Sequence, residues 1–532
     1  MIRFDSVTFT YPDADRPALS DVHLHVPEGE LALVIGPTGS GKTTLLRTIN
    51  GLVPRFSGGT LAGTVTVGGR DTSRLPVREM SDLVGYVAQD PAAGFVTATV
   101  EEELAYTMEQ LGLDSQTMRR RVEEILDLLG LAPLRGRPLK SISGGEAQRV
   151  ALGAVLTSHP RVTVLDEPTS ALDPTAAEEV LAAITRIVHD LGTTVVLAEH
   201  RLERVIQYAD SVIRLHPDGR AGAGAPAAMM ADTAIVPPVV RLGRLAGWNP
   251  LPLSVRDARR RAVDLPPLEP PAPAAPGPAR AVAEVRDVSF SYGGGDAALS
   301  DLTFSLHEGE AVALMGRNGA GKTTLLWALQ GGRKPDRGRV LIQDAEPSTL
   351  SPAEALRRVA LVPQNPGDLL YLESVAEECA AADRAAGARP GACHRLVEEI
   401  LGPTDPRAHP SDLSEGQRLG LALGIQLAAR PRLILLDEPT RGLDYAAKER
   451  LGGVLARLAT EGASILVATH DVEFVAEFAH RVLVMADGEI VADGSTPDIV
   501  VASPTFAPQV AKILGPGGWL TVSDVARALE AV

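Results

Sequence analysis

The chain is poor in cysteine and in long apolar segments. Only Cys379 and Cys393 occur in 532 residues, which leaves no disulfide framework and no four-ligand zinc pattern; this is typical of a reducing compartment, and we expect both thiols to be inert. The longest apolar runs, such as residues 31–35 and 433–436, last a handful of residues, whereas a membrane span needs roughly 20. The first residues lack the apolar stretch of a secretory signal. We therefore expect buried strands, no segment that crosses a bilayer, and a place in the cytosol.

Basic residues are outnumbered as well. Lys and Arg total 51 against 67 Asp and Glu, so the formal net charge is −16. A surface of this sign repels polyanions, which argues against nucleic acid as the main partner. Any phosphate site must therefore be built locally. The length and the 45% hydrophobic content predict two or more domains with separate cores.

What the chain does contain is a duplication. Two of its six lysines, Lys42 and Lys322, lie in nearly identical segments 280 residues apart. Other matched pairs follow at offsets that shrink only between motifs, as changes in loop length would produce. These pairs are Gln89 with Gln364, Asp166-Glu167 with Asp437-Glu438, and His200 with His470.

Both lysines belong to a glycine-rich loop between an apolar strand and a helical run. The pattern Gly-x-x-x-x-Gly-Lys-Thr lets backbone N–H groups surround phosphate oxygens, while the lysine reaches the β- and γ-phosphates and the threonine hydroxyl binds Mg²⁺. Two matches in register predict two nucleotide sites, with ATP and Mg²⁺ as cofactors. The predicted cofactor-binding residues are Gly36, Pro37, Thr38, Gly39, Ser40, Gly41, Lys42, Thr43 and Thr44, and Gly316, Arg317, Asn318, Gly319, Ala320, Gly321, Lys322, Thr323 and Thr324.

Two acidic residues end a buried strand in each half. At the carboxyl end of a strand the first acid can hold the Mg²⁺ shell, and the second can orient or deprotonate the attacking water. The predicted metal-site residues are Thr43, Asp166, Thr323 and Asp437, and the predicted catalytic acids are Glu167 and Glu438.

Short apolar runs alternate with longer helical patterns in each half, which predicts an α/β fold of two tandem P-loop domains. Amphipathic patterns without an intervening strand predict a helical subdomain in each, and seven prolines in residues 264–280 predict a semi-rigid linker. The expected boundaries are 1–220 for the first domain with its subdomain at about 90–142, 221–263 for a C-terminal appendage, 264–280 for the linker, 281–500 for the second domain with its subdomain at about 365–413, and 501–532 for a second appendage.

These elements resemble the ATP-binding cassette (ABC) ATPases over nearly all of the chain. The family's signature, LSGGQ, corresponds to residues 142–146 and 413–417, and its D-loop to residues 170–173 and 441–444. The resemblance implies two ABC-type domains that pair head to tail within one chain, each signature closing over the other half's P-loop. The signature residues that it assigns to nucleotide are Ser143, Gly144 and Gly145, and Ser414, Gly416 and Gln417.

The resemblance assigns further roles at both sites. His200 and His470 correspond to the switch histidine that reaches the γ-phosphate, Gln89 and Gln364 to the Q-loop glutamine of the catalytic and Mg²⁺ sites, and Tyr11 and Tyr292 to the aromatic residue that stacks on adenine.

Glu415 departs from the signature pattern because it replaces a glycine. A carboxylate about 5 Å from the γ-phosphate would repel it by about 3 kcal/mol at an effective dielectric near 20. This predicts that the site containing Lys42 and Glu167, which the second signature closes, is the slower one. If the side chain instead turns outward onto a cation or an arginine, the two sites are expected to be nearly equal.

The flanks of the motifs look like the ATPases of energy-coupling factor (ECF) transporters, which import vitamins and metal ions. The segments that carry this likeness are residues 86–91, 99–105 and 198–203. It implies an ATP-hydrolysing subunit at the cytoplasmic face of the cell membrane, bound to a transmembrane coupling protein and, through it, to a substrate-binding membrane component. We expect the helical subdomains, with exposed apolar residues such as Phe95 beside the Q-loops, to receive helices of the transmembrane partner.

Other classes of ABC protein share parts of this domain organisation. A fused sugar-import ATPase has the same architecture, although its second signature usually differs from residues 413–417. An ABC-F translation factor also has two cassettes, but its linker is long, helical and charged, whereas residues 264–280 are rich in proline and alanine. A DNA-repair ATPase would need zinc cysteines or coiled-coil insertions, and the sequence has neither.

Overall fold

The computed structural model describes residues 1–12, 14–170, 172–270, 280–293, 295, 297–503, 506–515 and 517–530. The chain forms two compact units, Met1–Asp257 and Ala258–Val532. Most of the expected linker, residues 271–279, lies outside the described residues. In the described part of the chain, every helix is too short or too polar to span a membrane.

Among the described residues the first unit contains ten strands and nine α-helices, and a tenth α-helix spans the boundary between the two units. The strands are β1 (Ile2–Thr10), β2 (Leu19–Val26), β3 (Leu31–Ile35), β4 (Thr60–Val67), β5 (Arg70–Asp71), β6 (Val84–Val87), β7 (Val162–Asp166), β8 (Thr194–Ala198), β9 (Ser211–Leu215) and β10 (Ala221–Gly224). The helices are α1 (Lys42–Ile49), α2 (Leu52–Arg55), α3 (Val100–Gln110), α4 (Ser115–Leu128), α5 (Gly144–Leu156), α6 (Pro174–Leu191), α7 (Leu202–Val205), α8 (Pro226–Met229), α9 (Pro238–Leu245) and α10 (Val255–Ala262).

The strands of the first unit form two sheets. One is antiparallel, in the order β2-β1-β4-β5, and the other has the order β10-β9-β3-β8-β7-β6, with β9 and β10 antiparallel and the other neighbours parallel. Every residue of β3, β7 and β8 is buried, because helices cover both faces of a parallel sheet. The parallel alignment places the carboxyl ends of β3, β7 and β8 at one edge.

The second unit repeats this plan. Its strands are β11 (Ala281–Ser291), β12 (Ala297–His307), β13 (Ala311–Gly316), β14 (Arg337–Ile342), β15 (Val359–Val362), β16 (Leu433–Asp437), β17 (Ser464–Ala468), β18 (Arg481–Ala486) and β19 (Glu489–Ser495). Its helices are α11 (Lys322–Gln330), α12 (Pro352–Arg358), α13 (Val375–Ala386), α14 (Ala392–Leu401), α15 (Glu415–Leu427), α16 (Tyr445–Thr460), α17 (Val472–Phe478), α18 (Thr496–Ala502), α19 (Gln509–Leu514) and α20 (Val522–Glu530). The sheets have the orders β12-β11-β14 and β15-β16-β17-β13-β18-β19.

These elements confirm the α/β fold expected from the sequence. In each unit three helices follow one another without a strand, α3 to α5 and α13 to α15. The first two of each set lie within the bounds expected for the helical subdomains, and the third begins just after them. The boundary expected at residue 220 falls too early, because β10 pairs with β9 and extends the parallel sheet of the first unit. The sequence pattern missed β10 because Ala221–Gly224 contains only alanine and glycine, which are poor strand formers.

Candidate functional site

Each P-loop joins a buried central strand to the helix that follows it. Gly41 and Gly321 stand directly before α1 and α11 with φ of 92° and 100°. A Cβ atom there would lie 2.6 Å from the carbonyl oxygen of Ala18 and 2.4 Å from that of Ala298, so both positions require glycine. No side chain caps either helix. The first N–H groups of both helices are therefore directed into the loop, where they can bind phosphate oxygens.

The P-loop lysines lie inside their loops. Lys42 Nζ donates to the carbonyl oxygen of Gly36 at 2.9 Å, and Lys322 Nζ donates to that of Gly316 at 2.8 Å. Both side chains are buried. The hydroxyl oxygen of Ser40 is buried too, and it has no hydrogen-bond partner in the described part of the chain. A buried cation, uncapped N–H groups and an unpartnered hydroxyl fit the phosphates of a nucleotide.

The aspartates that end β7 and β16 form hydrogen bonds with the P-loop threonines. Thr323 Oγ1 donates to Asp437 Oδ2 at 2.7 Å. Burial, reinforced by the charge of Glu438, raises the pKa of Asp437 to about 6 against the opposing Thr323 hydrogen bond. Burial likewise raises the pKa of Asp166, which is opposed by a hydrogen bond from Thr43. A desolvated carboxylate beside a hydroxyl is a donor set that fits Mg²⁺.

The following glutamate in each half contacts the expected switch histidine. His200 Nε2 lies 2.9 Å from Glu167 Oε1, and His470 Nδ1 lies 2.8 Å from Glu438 Oε1. Both glutamates have positive φ, 53° and 51°, and their N–H groups donate to the last residue of the neighbouring strand at 3.0 and 2.8 Å. Such backbone costs about 1–3 kcal/mol and persists where the surroundings impose it. The carboxylate is thus held at the sheet edge, where it can accept a proton from water.

The two Q-loop glutamines differ. Gln89 Nε2 donates to Glu167 Oε2 at 3.3 Å, so the structure brings this residue to the acid. Gln364 is exposed. Instead, the second glutamate accepts a hydrogen bond from Thr469, which lies 3.4 Å from Glu438 Oε2.

The two tyrosines expected at the adenine lie beside the helices that follow the P-loops. The hydroxyl of Tyr11 is 2.9 Å from Thr44 Oγ1, and that of Tyr292 is 3.2 Å from Thr324 Oγ1. The guanidinium of Arg333 lies over the Tyr292 ring, 5.8 Å from its centroid. Stacking on adenine stays a prediction at both positions.

Both signatures begin a helix. Ser143 is the N-cap of α5 and Ser414 that of α15, and each forms a capping box with the residue three positions later. Gly144 and Gly145 occupy the first turn of α5, and Gly416 is buried in the first turn of α15. In the second half, the partner of Ser414 in the capping box is Gln417, whose Oε1 accepts a hydrogen bond from Ser414 N at 2.9 Å.

Glu415 forms an ion pair with a residue of its own D-loop. Its Oε1 lies 3.4 Å from Arg441 Nε, and both side chains are half-buried. Gly442, at φ 67°, makes room for the pair, because a Cβ atom there would lie 2.6 Å from Glu415 Oε2. The first half has Gly144 and Ser170 at the corresponding positions. Of the two outcomes expected for Glu415, the structure shows pairing with an arginine.

Sequence reasoning missed Glu199 as part of the first site. It is fully buried, and burial raises its pKa. Its carboxylate accepts hydrogen bonds from Thr169 N at 3.0 Å and from His200 N at 3.1 Å. Glu199 therefore fixes the backbone on either side of the Glu167–His200 contact. Its position beside His200 was the available signal, but a carboxylate next to a histidine is too common in sequences to indicate this role.

An exposed apolar residue follows each Q-loop. Phe95 is half-buried, contrary to expectation, and its neighbour Val96 is 62% exposed. Val96 N and Thr97 N donate to the buried Glu103 at 3.1 and 2.9 Å. In the second half Tyr371 is 80% exposed. We call Val96 and Tyr371 the apolar tips.

A buried glutamate holds the second tip as it holds the first. Tyr371 N and Leu372 N both donate to Glu378 Oε1, the latter at 2.7 Å. Each glutamate lies 14 residues after its Q-loop glutamine, Glu103 after Gln89 and Glu378 after Gln364. The two tips therefore have the same backbone support.

Two repeated α/β units, each with a P-loop, a strand-end acid pair and a signature helix, define an ATP-hydrolysing protein that binds ATP with Mg²⁺. The ABC transporter family profile matches residues 19–170 and 299–441, and the chain belongs to this family. A Streptomyces coelicolor protein named as an ABC transporter ATP-binding protein is 56% identical over 99% of this chain and 100% of its own length. A Methanosarcina mazei protein of the same name is 33% identical over 94% and 90%.

A solved structure shares the tandem fold. An archaeal ribosome recycling factor, aABCE1, solved with the ribosomal stalk protein aP1, aligns with a TM-score of 0.62 over 93% of this chain and 91% of its own. Its sequence identity of 19% extends the likeness to the fold alone.

Proposed function

We propose that the protein is the energy-coupling ATPase of an ABC importer, of the ECF type, for a vitamin or a metal ion. In this proposal it lies at the cytoplasmic face of the membrane on a transmembrane coupling protein, which in turn binds a substrate-binding component. ATP closes the two units head to tail. Nucleotide then lies between Lys42 and Ser414 at one site and between Lys322 and Ser143 at the other.

The residues at each site have different roles in ATP binding and hydrolysis. The P-loop N–H groups and lysine bind the phosphates. Thr43 with Asp166, or Thr323 with Asp437, would hold Mg²⁺, which would supply charge neutralisation at the phosphates. Glu167 and Glu438 position water and take its proton. His200 and His470 contact the γ-phosphate. Gln89 and Gln364 connect the catalytic acid and Mg²⁺ to the helical subdomain.

The apolar tips carry the assignment to a transporter. Val96 and Tyr371 are 275 residues apart, the offset of Gln89 and Gln364, so the duplication repeats a solvent-facing apolar residue beside both nucleotide sites. Neither residue is needed to hold ATP, and each is kept in place by a buried carboxylate. An exposed apolar residue on a rigid support is typical of a protein contact. We assign the tips to helices of the transmembrane partner.

The test uses tagged full-length protein from detergent-solubilised membranes of its native host. Membrane proteins should co-purify with the wild type, and Val96→Ser/Tyr371→Ser should lose them while keeping its ATPase rate. Val491→Ser, at an exposed apolar position on β19, is the matched control and should retain them. Unchanged recovery with the double variant would contradict the placement of the tips.

The identity of the co-purified proteins separates the alternatives. A small substrate-binding membrane protein supports the ECF type, and the membrane subunits of a sugar importer support that class instead. Ribosomes in place of membrane proteins would indicate an ABC-F-type factor.

A further inference from the structure

The chain's two cysteines face each other on consecutive helices of the second helical subdomain. Cys379 lies in α13 and Cys393 in α14, and both thiols are free. They are 3% and 0% exposed and belong to the same hydrophobic cluster, which also contains Val375 and Val397. The sequence led us to expect inert thiols, and it did not indicate that the two lie in one packed cluster.

A buried aspartate fixes this arrangement. Asp383 lies one turn after Cys379, on the same face of α13. Its carboxylate accepts from Gly391 N at 2.7 Å and from Cys393 N at 2.8 Å. Asp383 therefore ties the first turn of α14 to α13 and keeps Cys393 beside Cys379. Helix α15, which begins directly after Ser414, packs against both helices.

One of the two thiols has a route to solvent. A cavity of about 310 Å³ is lined by Cys379 together with Asp383, Arg384 and His394, and Cys393 is not among its lining residues. A hydrogen bond with Cys393 lowers the pKa of Cys379, although burial and the charges of Asp383 and Glu378 oppose this. The same hydrogen bond, with burial, raises the pKa of Cys393. Cys379 is thus the thiol that a small reagent would meet first.

We propose that Cys379 and Cys393 form a reversible redox site that takes small-molecule disulfides of the glutathione type. The Cys379 thiolate attacks one sulfur of the reagent, so a mixed disulfide forms and one thiolate leaves and takes up a proton. Cys393 then loses its proton and attacks the Cys379 sulfur, which releases the second small thiol. Two protein thiols are oxidised to one disulfide, and one small disulfide is reduced to two thiols. The product links α13 to α14 covalently.

The test treats folded full-length protein with glutathione disulfide and follows its intact mass. The wild type should lose two hydrogen atoms and both free thiols, and a digest should contain one cross-linked peptide pair joining Cys379 to Cys393. Dithiothreitol should restore both thiols. If the folded protein keeps both thiols, which then react only after denaturation, the proposal is wrong.

Two serine variants separate the roles of the thiols. Cys393→Ser should stop at a stable mixed disulfide with one glutathione on Cys379, because no second thiol can release it. Cys379→Ser should stay unmodified, because Cys393 does not line the cavity. Equal modification of both variants, or a mixed disulfide that persists on the wild type, would overturn the assignment. The wild-type peptide map remains decisive if either variant fails to fold.

Discussion

At the scale of single residues, the Glu415–Arg441 pair bears on whether the two nucleotide sites work equally. In a Glu438→Gln background only the site containing Lys42 and Glu167 should turn over. In the proposed head-to-tail arrangement, Arg441→Ala should release the Glu415 carboxylate toward the γ-phosphate of that site. Repulsion of up to about 3 kcal/mol at an effective dielectric near 20 would lower the steady-state ATPase rate by as much as roughly a hundredfold.

The first half supplies the control for this experiment. Glu415→Gly/Arg441→Ser reproduces its residues, Gly144 and Ser170, and should restore the rate in the same background. Glu415→Gly alone should change the rate little, because the pair already holds the carboxylate on Arg441. A large gain from Glu415→Gly alone would show that the ion pair does not protect the site.

The buried acid Asp437 predicts a pH effect on stability. Its pKa is raised to about 6 from 3.8, so the native state binds a proton more tightly than the unfolded state between these values. The resulting stabilisation is full below pH 4 and is lost as the pH rises through 6. At pH 7 the ionised group then costs about 3 kcal/mol when Mg²⁺ is absent.

Asp437→Asn should therefore raise the free energy of unfolding at pH 7 by up to about that amount, while it abolishes Mg²⁺-dependent turnover at its own site. Denaturant titrations of nucleotide-free protein from pH 4 to 7 measure the difference. It should shrink steadily as the pH falls toward 4, because the wild-type carboxyl is then neutral in the native state and increasingly protonated in the unfolded state. A variant that is less stable than the wild type at pH 7 would contradict the raised pKa.

The roles of residues could be predicted from the sequence where they depend on spacing between motifs. They could not be predicted where they depend on the direction of a side chain. Lys42 and Asp166 could be placed because a P-loop and the end of a buried strand fix their chemistry. The direction of Glu415 could not, because it depends on the positive φ of Gly442 and on the reach of Arg441. Both lie in a different motif, 26 residues or more along the chain.

At the scale of elements, the buried glutamate behind each apolar tip links a loop to a helix. Glu103 accepts from Val96 N, Thr97 N and Thr97 Oγ1, the last at 2.8 Å. Glu103→Ala would leave these donors unpaired, at a cost of about 1–3 kcal/mol for each donor that stays buried. We expect faster hydrogen exchange at residues 96–97 and weaker recovery of the membrane partner, with the ATPase rate of the isolated protein retained.

Glu101→Ala is the matched control on the same helix. Glu101 is half-exposed and pairs with Arg135 at the surface, where such pairs contribute little. Glu101→Ala should leave both the hydrogen exchange at residues 96–97 and the recovery of the membrane partner unchanged. Equal effects of the two variants would mean that the first turn of α3 acts as a whole rather than through Glu103.

Elements were predictable where the hydrophobic pattern was strong. The runs at β3, β7 and β16 are buried at every position, and a continuous apolar run of this length indicates a strand of a parallel sheet. The edge strand β10 has no such pattern and is formed by pairing with β9. The prediction that Phe95 is exposed was wrong for a related reason. Whether Phe95 or Val96 faces solvent depends on the backbone conformation that Glu103 holds.

At the scale of the whole molecule, the duplication predicts that one chain contains everything required for two composite ATP sites. Each unit carries its own P-loop and signature helix, and the proposed head-to-tail pairing of units joined in one chain is intramolecular. The ATPase rate per molecule of purified protein should therefore be independent of protein concentration. A rate per molecule that rises with concentration would show that two chains must meet.

Single substitutions then report how the two sites share the work. Glu167→Gln and Glu438→Gln each remove one catalytic acid, and the ion pair of Glu415 with Arg441 leads us to expect similar losses. If the two sites hydrolyse ATP independently, each variant should keep about half of the wild-type ATPase rate. If closure of the units requires both acids, either single substitution should lower the rate as much as the double substitution does. The comparison is made in steady-state assays at saturating Mg²⁺ and ATP. A much larger loss from Glu438→Gln than from Glu167→Gln would show that Glu415 still acts on the γ-phosphate despite Arg441, because in the proposed head-to-tail arrangement the second signature closes only the site containing Lys42.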